Sequence, residues 1–211
     1  MFAETEFADH IVSRFGSQVA ILYGSAARGE ARSGSDIDVV CFVDGAARYP
    51  ESYLWRGVLV DAWVHPLTDA ANIDDFLKLH DGRVLHDLDG LGQGLLAKVA
   101  ERIQGPREKL DARHERHRRA WVWKMFDRAV QQGAEGDYRR HWLLFDLPET
   151  WCDLAQHHYL GPDNALKKLR AAAPHVHEAV TRALAAGSSL SEIELAVCAV
   201  VGLRIPPDES A

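Results

Sequence analysis

The segment at residues 21–43, ILYGSAARGEARSGSDIDVVCFV, constrains the fold more than any other part of the chain. It opens with β-prone apolar residues that end at Tyr23, and Gly24-Ser25 follows, where a helix is expected to begin. A second apolar run at residues 36–43 reads as another strand. A strand, a short helix and a strand in such close succession predict an α/β arrangement for this part of the chain.

The second strand of this segment carries two carboxylates, in the sequence Ser35-Asp36-Ile37-Asp38. Side chains two positions apart on a strand share a face and lie roughly 6–7 Å apart, so Asp36 and Asp38 converge. Ile37 and the apolar residues that alternate with it, Val39 and Cys41, are expected to point into a core. Two carboxylates this close repel each other unless a cation lies between them, and Mg²⁺ prefers such oxygen ligands.

A third carboxylate, Asp61, interrupts the apolar run at residues 58–64. An unpaired acid inside an apolar strand costs several kcal/mol. The acid is tolerable there if this strand borders that of Asp36 and Asp38 and Asp61 joins their metal cluster. Three carboxylates can hold two Mg²⁺ ions for an in-line displacement at phosphorus. The alternative, a plain turn at Gly24 and a solvated strand end at Asp36, leaves Asp61 without an explanation.

The Gly24-Ser25 pair is suited to binding a phosphate. Glycine permits close approach of the backbone to a ligand. Ser25 can cap the following helix or offer its hydroxyl to a phosphate. The N–H groups at a helix start point toward an anion.

Together these features resemble the signature of the polymerase-β-like nucleotidyltransferase superfamily. Residues 24–30 with residues 35–38 resemble the bacterial small nucleotidyltransferases, and the resemblance covers residues 1 to about 90. It implies an enzyme that binds an NTP, with ATP as the expected nucleotide, and transfers its NMP with two Mg²⁺ ions. The site residues implied are Asp36 and Asp38 for both metals, Asp61 for one metal, and Gly24, Ser25, Arg28 and Ser35 for the triphosphate.

The chain is divided into two parts near Gly105-Pro106, after which helix-forming residues dominate the sequence. We predict a catalytic domain at residues 1–104, a helical substrate-binding domain at 105–205 and a tail at 206–211. The fold class is then α/β, with the mixed sheet of the nucleotidyltransferase fold, followed by an all-α helical bundle. Strands are predicted at residues 18–23, 36–43, 58–64 and 83–85, and helices at 4–15, 110–132, 138–159 (with a break at Pro148), 164–172, 175–186 and 191–201.

The order of the two domains resembles that of the kanamycin nucleotidyltransferase family, whose second domain helps to bind acceptor and NTP. Residues 159–164 followed by Lys167 and Lys168 resemble that family's turn before a phosphate-contacting lysine. The resemblance implies Lys167, or next to it Lys168, as a triphosphate ligand. The aromatic neighbour of that lysine is missing here, and two solvated lysines are the alternative.

Three carboxylates, Asp146, Glu149 and Asp153, follow i, i+3, i+7 spacing and share a helix face. One interpretation is a patch that holds an amine-bearing acceptor, with Glu149 as general base for its hydroxyl. The alternative is a capping box in which Asp146 begins a helix and Pro148 occupies the first turn.

Charge and composition restrict the partners. The net charge is −7, and residues 1–100 carry all of it, with 8 basic against 15 acidic side chains. Such a chain is poorly suited to long nucleic acid, so the expected partners are an NTP and a small-molecule acceptor, for example an aminoglycoside-like polyamine. A homodimer is compatible with this interpretation.

The expected location is the cytoplasm, without a membrane. The acidic, amphipathic N-terminus is unlike a secretory signal, and no apolar run approaches the roughly 20 residues of a membrane span. The cysteines, Cys41, Cys152 and Cys198, are far apart and predict no disulfide framework.

Two other functions are considered. A toxin–antitoxin protein that adenylylates another protein would share the motif, but such minimal proteins end near the catalytic domain. A non-catalytic nucleotide-binding module would be favoured by the loss of one of the three carboxylates, and Asp36, Asp38 and Asp61 are all present.

Overall fold

The computed structural model describes residues 4–204, so the expected tail at 206–211 lies outside the described residues. The chain forms two compact units, Met1–Gly105 and Pro106–Ala211. Between residues 4 and 204, no helix is both long and apolar enough to cross a bilayer.

The first unit is built on a five-stranded mixed sheet with the strand order β3-β4-β2-β1-β5. Strands β2 and β4 run parallel, whereas the other neighbouring pairs are antiparallel. This confirms the predicted mixed sheet. The elements are α1 (Glu4–Phe15), β1 (Val19–Tyr23), α2 (Gly24–Ala27), β2 (Ile37–Val43), β3 (Tyr49–Trp55), β4 (Val58–Pro66), the 3₁₀ helices Leu67–Ala71 and Ile73–Leu79, β5 (Arg83–Asp87) and α3 (Leu91–Gln104).

The two faces of this sheet are buried against different helices. On one face, α1 packs Phe7 and Ile11 against a core that contains Ile37, Val39 and Cys41, as their alternation predicted. The opposite face is covered by the second 3₁₀ helix and α3, in a core that includes Tyr23, Val40 and Phe76. Because both faces are packed, the direction of each β2 side chain is fixed, and Asp38 shares the face of Val40.

Strand β3 was not predicted from the sequence. Pro50 argues against a central strand, but β3 lies at the edge of the sheet, where a proline is tolerated. A two-residue turn, Arg56-Gly57, connects β3 to β4, and both residues have positive φ angles (51° and 81°). Arginine is an unusual residue for such a turn, so the usual hairpin signal was absent.

Helix α3 was also missed, because two glycines lie in its first turn. The Asp87 carboxylate accepts hydrogen bonds from the backbone N–H groups of Gly92 (3.1 Å) and Gln93 (2.9 Å). Those bonds satisfy donors at the helix start that have no partner within the helix. A side chain at Gly92 would place its Cβ 2.7 Å from Val19, so the glycine allows close packing on β1.

The second unit is all-α, as predicted. Its core joins residues of every helix, among them Phe126, Leu147, Leu169, Val180 and Val197. Helix α5 continues through Pro148, so the expected break there is wrong. The helices are α4 (Ala112–Ala129), α5 (Ala134–Leu154), α6 (Pro162–Ala172), α7 (Pro174–Leu184) and α8 (Leu190–Val201).

The capping-box interpretation of Asp146 is wrong as well. Helix α5 begins at Ala134, and Asp146 lies well inside it. In the interior of a helix the same spacing aligns side chains on one face, which is why the local pattern was ambiguous. The cysteines are free thiols, with Cys41 and Cys152 buried and Cys198 half-buried.

Candidate active site

A row of side chains crosses the sheet on the face covered by the second 3₁₀ helix. Tyr23 of β1 lies opposite Asp38 of β2, Asp38 lies opposite Asp61 of β4, and Asp61 lies opposite Ser52 of β3. Directly opposed residues on neighbouring strands point to the same face. Asp36, two residues before Asp38, precedes β2 at the same end of the sheet. Asp36, Asp38 and Asp61 are called the carboxylate cluster below.

The electrostatics of the cluster are most evident at Asp38, which is half-buried. Burial, and after it the charges of Asp36 and Asp61, raise the pKa of the Asp38 carboxyl to about 6. Lys78 and Arg28 act in the opposite direction. The folded protein thus holds a carboxylate whose negative charge is unfavourable where it stands, and a cation would stabilise it.

Asp61 is also half-buried, and it has a polar partner. The hydroxyl of Ser52 donates a hydrogen bond of 3.0 Å to Asp61 Oδ1. The second carboxylate oxygen has no such bond within the described part of the chain. Asp61 therefore has an oxygen atom available for a ligand while the other is held by the edge strand.

Gly24 lies directly against the cluster. It has a φ angle of +71°, and a Cβ atom added there would lie 2.4 Å from Asp38 Oδ2. Any side chain at this position would displace the Asp38 carboxylate. Glycine is therefore needed at this position for two reasons: the backbone is left-handed, and Asp38 occupies the space that a Cβ atom would need.

Of the two roles considered for Ser25, the helix cap is excluded. Helix α2 has only four residues, its N-cap is Tyr23, and no side chain bonds to its first turn. Ser25 lies within α2 and next to Gly24, where a contact with phosphate stays a prediction.

The other two residues predicted to contact the triphosphate already have protein partners. Arg28 donates hydrogen bonds to Glu30 (2.7 Å) and to Asp81 (2.9 Å). The Ser35 hydroxyl accepts a hydrogen bond of 2.8 Å from the Arg32 N–H, which closes the turn before β2. Both residues shape the loop that leads into the Asp36-Ile37-Asp38 motif.

This loop borders a cavity of about 670 Å³, which Asp36 also lines. Its basic residues are Arg28, Arg32 and Arg83. Arg83 forms an ion pair with Glu4 (2.6 Å), whereas Arg32 has no carboxylate partner among the described residues. The volume lies in the range of small-molecule sites.

Lys78 is a functional candidate that the sequence did not reveal. It is in the second 3₁₀ helix, and its Nζ donates a hydrogen bond of 3.3 Å to the Tyr23 hydroxyl. Partial burial of the ammonium group lowers the pKa of Lys78, while Asp38 and Asp61 act to raise it. Only the tertiary fold brings Lys78 to the carboxylates, because it lies far from both strands in the sequence.

Whether these residues suit a divalent cation is answered by their donor atoms. The cluster offers carboxylate oxygens, which suit Mg²⁺, and the raised pKa of Asp38 shows a local need for positive charge. No group of three His, Cys, Asp or Glu side chains is already assembled as a metal site within residues 4–204. The donor atoms of the three carboxylates therefore suit Mg²⁺, but the side chains lie in a row and do not surround a single point.

In the second unit, two of the three carboxylates on the α5 face form ion pairs with arginines. Asp146 accepts hydrogen bonds from Arg118 (3.1 Å) and Thr150 (2.6 Å). Asp153 forms ion pairs with Arg107 and with Arg118. This face is thus not a free acidic patch for an amine. Glu149 has no ion pair with any residue in the range 4–204, and its role as a base stays a prediction.

Lys167 lies in α6, where it forms an ion pair of 2.7 Å with Asp163 one turn earlier. Both side chains are largely exposed, so this pair contributes little to stability. The contact of Lys167 with a triphosphate stays a prediction.

Part of the chain is similar to a known protein family. Residues 5–93 match the family described as the nucleotidyltransferase domain. The matched range contains the carboxylate cluster, Gly24 and Lys78. Residues 5–93 of the first unit are therefore similar to a nucleotidyltransferase domain, as the motif implied.

Among solved structures, the nucleotidyltransferase-like protein from Exiguobacterium sibiricum 255-15 is similar, with a TM-score of 0.46 and 12% sequence identity. The alignment covers 94% of this chain and 73% of that one. No curated protein matches the chain.

The first prediction concerns the stability of the metal-free protein. The pKa of Asp38 is about 6 in the folded state against a usual 3.8, so the folded protein binds more protons between these values. The contribution of Asp38 to the free energy of unfolding should therefore fall as the pH rises from about 4 to about 6. Asp38→Asn removes this effect. In EDTA the variant should be more stable than wild type at pH 7.5, by about 1–2 kcal/mol after allowance for solvent screening.

Urea unfolding at pH 4.5 and 7.5 measures the difference. The gain should shrink at the lower pH, and the exposed Asp44→Asn should show no gain at either. A loss of stability in Asp38→Asn at pH 7.5 would contradict the electrostatic description of the cluster.

The second prediction uses two glycines with the same backbone angle. Gly24 (φ +71°) lies against Asp38, while Gly29 (φ +70°) has no atom within 4 Å of an added Cβ. Alanine at either position costs about 1–2 kcal/mol of backbone strain. Gly24→Ala should also lower the rate of nucleotidyl transfer about 100-fold or more by displacing Asp38, whereas Gly29→Ala should keep most activity. Equal losses of activity would mean that backbone strain, and not the position of Asp38, is responsible.

Proposed function

We propose that this protein transfers an NMP from an NTP to a hydroxyl group of a small-molecule acceptor, with release of pyrophosphate and dependence on Mg²⁺. The observation that carries the proposal is the carboxylate cluster, with Asp38 and Asp61 opposed on parallel strands and Gly24 against Asp38. The nucleotidyltransferase family of residues 5–93 supports the general reaction.

The residues proposed to hold divalent cations are Asp36, Asp38 and Asp61. Bound there, two Mg²⁺ ions would supply positive charge for the attacking oxygen and for the leaving pyrophosphate. The chain provides the fixed geometry: the strand ladder holds Asp38 beside Asp61, and Ser52 fixes one oxygen of Asp61. The row is built before any ligand arrives, so little reorganisation is needed during the reaction.

Gly24 and the loop after α2 are proposed to receive the triphosphate. Gly24 has no side chain that would keep a phosphate away from the cluster, and Ser25 is its neighbour in α2. Arg28 is held by Glu30 and Asp81, so it offers a positioned guanidinium whose charge is already shared. Arg32, in the same loop, has no carboxylate partner among residues 4–204 and is free to meet an anion.

In the transfer, an acceptor oxygen bonds to the α-phosphorus as the bond from that phosphorus to the β-phosphate oxygen breaks. Pyrophosphate leaves with the electron pair, and the hydroxyl proton passes to a base. Glu149 is proposed for this role because, unlike Asp146 and Asp153, it has no ion pair among the described residues. An acceptor that carries amines suits the acidic first unit, which makes an aminoglycoside-like polyamine the example to test first.

The proposal is tested by incubating the protein with α-³²P-labelled ATP or GTP, Mg²⁺ and a panel of hydroxyl-bearing small molecules, amino sugars included. We expect a labelled conjugate of NMP and acceptor, with one pyrophosphate released for each conjugate. Label that appears on added protein instead would favour a protein-adenylylating enzyme. Nucleotide binding without release of pyrophosphate would favour a non-catalytic module.

The third prediction separates chemistry from binding at the cluster. Asp36→Asn and Asp38→Asn should abolish transfer while the protein stays folded. Asp61→Ala should lower kcat by about 100-fold or more and weaken NTP binding much less, as for a group that acts on charge developing in the transition state. Asp44→Asn serves as the control. Full activity in the Asp36 or Asp38 variant would contradict the mechanism, and equal losses in kcat and binding would make Asp61 a binding residue only.

The fourth prediction concerns the helical unit. We propose that Lys167 contributes a positive charge to NTP binding, so Lys167→Ala should raise the KM for NTP more than the KM for the acceptor. Steady-state kinetics with each substrate varied in turn measures both. The same effect in Lys168→Ala alone would move the assignment by one residue. Unchanged NTP kinetics in both variants would limit the second unit to the acceptor.

A further inference from the structure

Lys78 is fixed close to the carboxylate cluster by the fold. The 3₁₀ helix that carries it, Ile73–Leu79, is anchored by Phe76 and Leu79, whose side chains are buried in the core on this face of the sheet. Lys78 lies next to Leu79, so its backbone position is set by the core. The side chain extends to Tyr23, the residue directly opposite Asp38.

The ammonium group of Lys78 is held by aromatic rings. Its Nζ lies 4.9 Å from the ring centre of Tyr23 and 5.2 Å from that of Trp63, and the Tyr23 hydroxyl accepts its hydrogen bond. Trp63 follows Asp61 by two residues on β4 and shares its face. These contacts are favourable for a cation and draw it toward the rings.

Lys78 nevertheless forms no ion pair with a carboxylate among residues 4–204, although both Asp38 and Asp61 act on it electrostatically. The contrast with Arg28 is clear, because Arg28 is bound by both Glu30 and Asp81. Lys78 is thus a positioned cation that interacts electrostatically with the cluster and forms no ion pair with it among these residues.

We propose that Lys78 binds a phosphate oxygen of the NTP beside the carboxylate cluster, as a substrate-contacting residue of the transfer reaction. The inference rests on the proposed function, because the carboxylate cluster must receive a triphosphate. A triphosphate is repelled by three carboxylates, and a lysine on the same face supplies a compact positive charge and three N–H donors. Tyr23 and Trp63 keep the ammonium group from collapsing onto Asp38 or Asp61 in the absence of nucleotide.

Equilibrium binding tests this without turnover. The probes are α,β-methylene-ATP and α,β-methylene-GTP with Mg²⁺, in which the bond broken by transfer is replaced, and the tighter-binding one is used in isothermal titration calorimetry. Lys78→Met should weaken its binding by about 10- to 100-fold, as for loss of a hydrogen bond to a charged group. The matched control is Lys98→Met, which removes an exposed lysine of α3 in the same unit and should change affinity by less than about twofold.

Two further variants show that the effect belongs to the charge and its placement. Lys78→Arg keeps the cation and should bind more tightly than Lys78→Met. Tyr23→Phe keeps the ring but removes the hydroxyl that accepts from Lys78, and it should weaken binding less than Lys78→Met. Thermal unfolding of every variant confirms that the first unit is folded at the temperature of the titration.

The outcomes separate the two proposals. If wild type binds the probe and Lys78→Met binds it as tightly, the role of Lys78 is overturned and the proposed function stands. The role is also overturned by a second combination of results. In it, Lys78→Met lowers the free energy of unfolding in EDTA, this loss is absent in an Asp38→Asn background, and the affinity for the probe is unchanged. Lys78 would then only offset repulsion within the cluster. If wild type binds neither probe, the proposed function fails and this inference fails with it.

Discussion

The interaction on which this site depends is the repulsion between carboxylates that the sheet holds side by side. Asp38 and Asp61 are opposed on parallel strands, and Asp36 lies just before the same strand. The strands cannot separate without breaking their hydrogen-bond ladder, and burial on both faces of the sheet fixes the side-chain directions. The repulsion therefore persists in the folded protein, where burial first, and then the charges of Asp36 and Asp61, raise the pKa of Asp38 to about 6. A fold that maintains such an unfavourable arrangement is suited to a ligand that supplies positive charge.

The neighbouring residues accommodate these carboxylates but do not neutralise their charge. Ser52 satisfies one oxygen of Asp61, and Gly24 leaves the space that the Asp38 carboxylate requires. Lys78 faces the cluster but is held over aromatic rings. By contrast, Asp146 and Asp153 of α5, which looked similar in sequence, are paired with arginines and belong to the structure of the helical unit. The difference between a paired and an unpaired carboxylate distinguishes the candidate site from an ordinary polar network.

The sequence predicted the parts of the site that depend on local periodicity. Alternation along β2 placed Asp36 and Asp38 on one face and Ile37 in the core, and the apolar surroundings of Asp61 indicated a polar neighbour across the sheet. Ser52 could not be found, because its strand contains Pro50 and begins a hairpin with an arginine in the turn. Lys78 could not be found either, since only tertiary packing brings its 3₁₀ helix over the sheet. In α5 the spacing of Asp146 and Glu149 fits a helix start and a helix interior equally well, so the boundary was undecidable from the pattern alone.

The most direct measurement is a crystal structure with Mg²⁺ and a nucleotide analogue whose α,β bond cannot be broken. The account predicts a metal ion bound by oxygens of Asp36, Asp38 and Asp61, with the phosphates close to the Gly24 backbone. A nucleotide bound elsewhere in the first unit, or a metal that leaves Asp38 and Asp61 without contact, would contradict it.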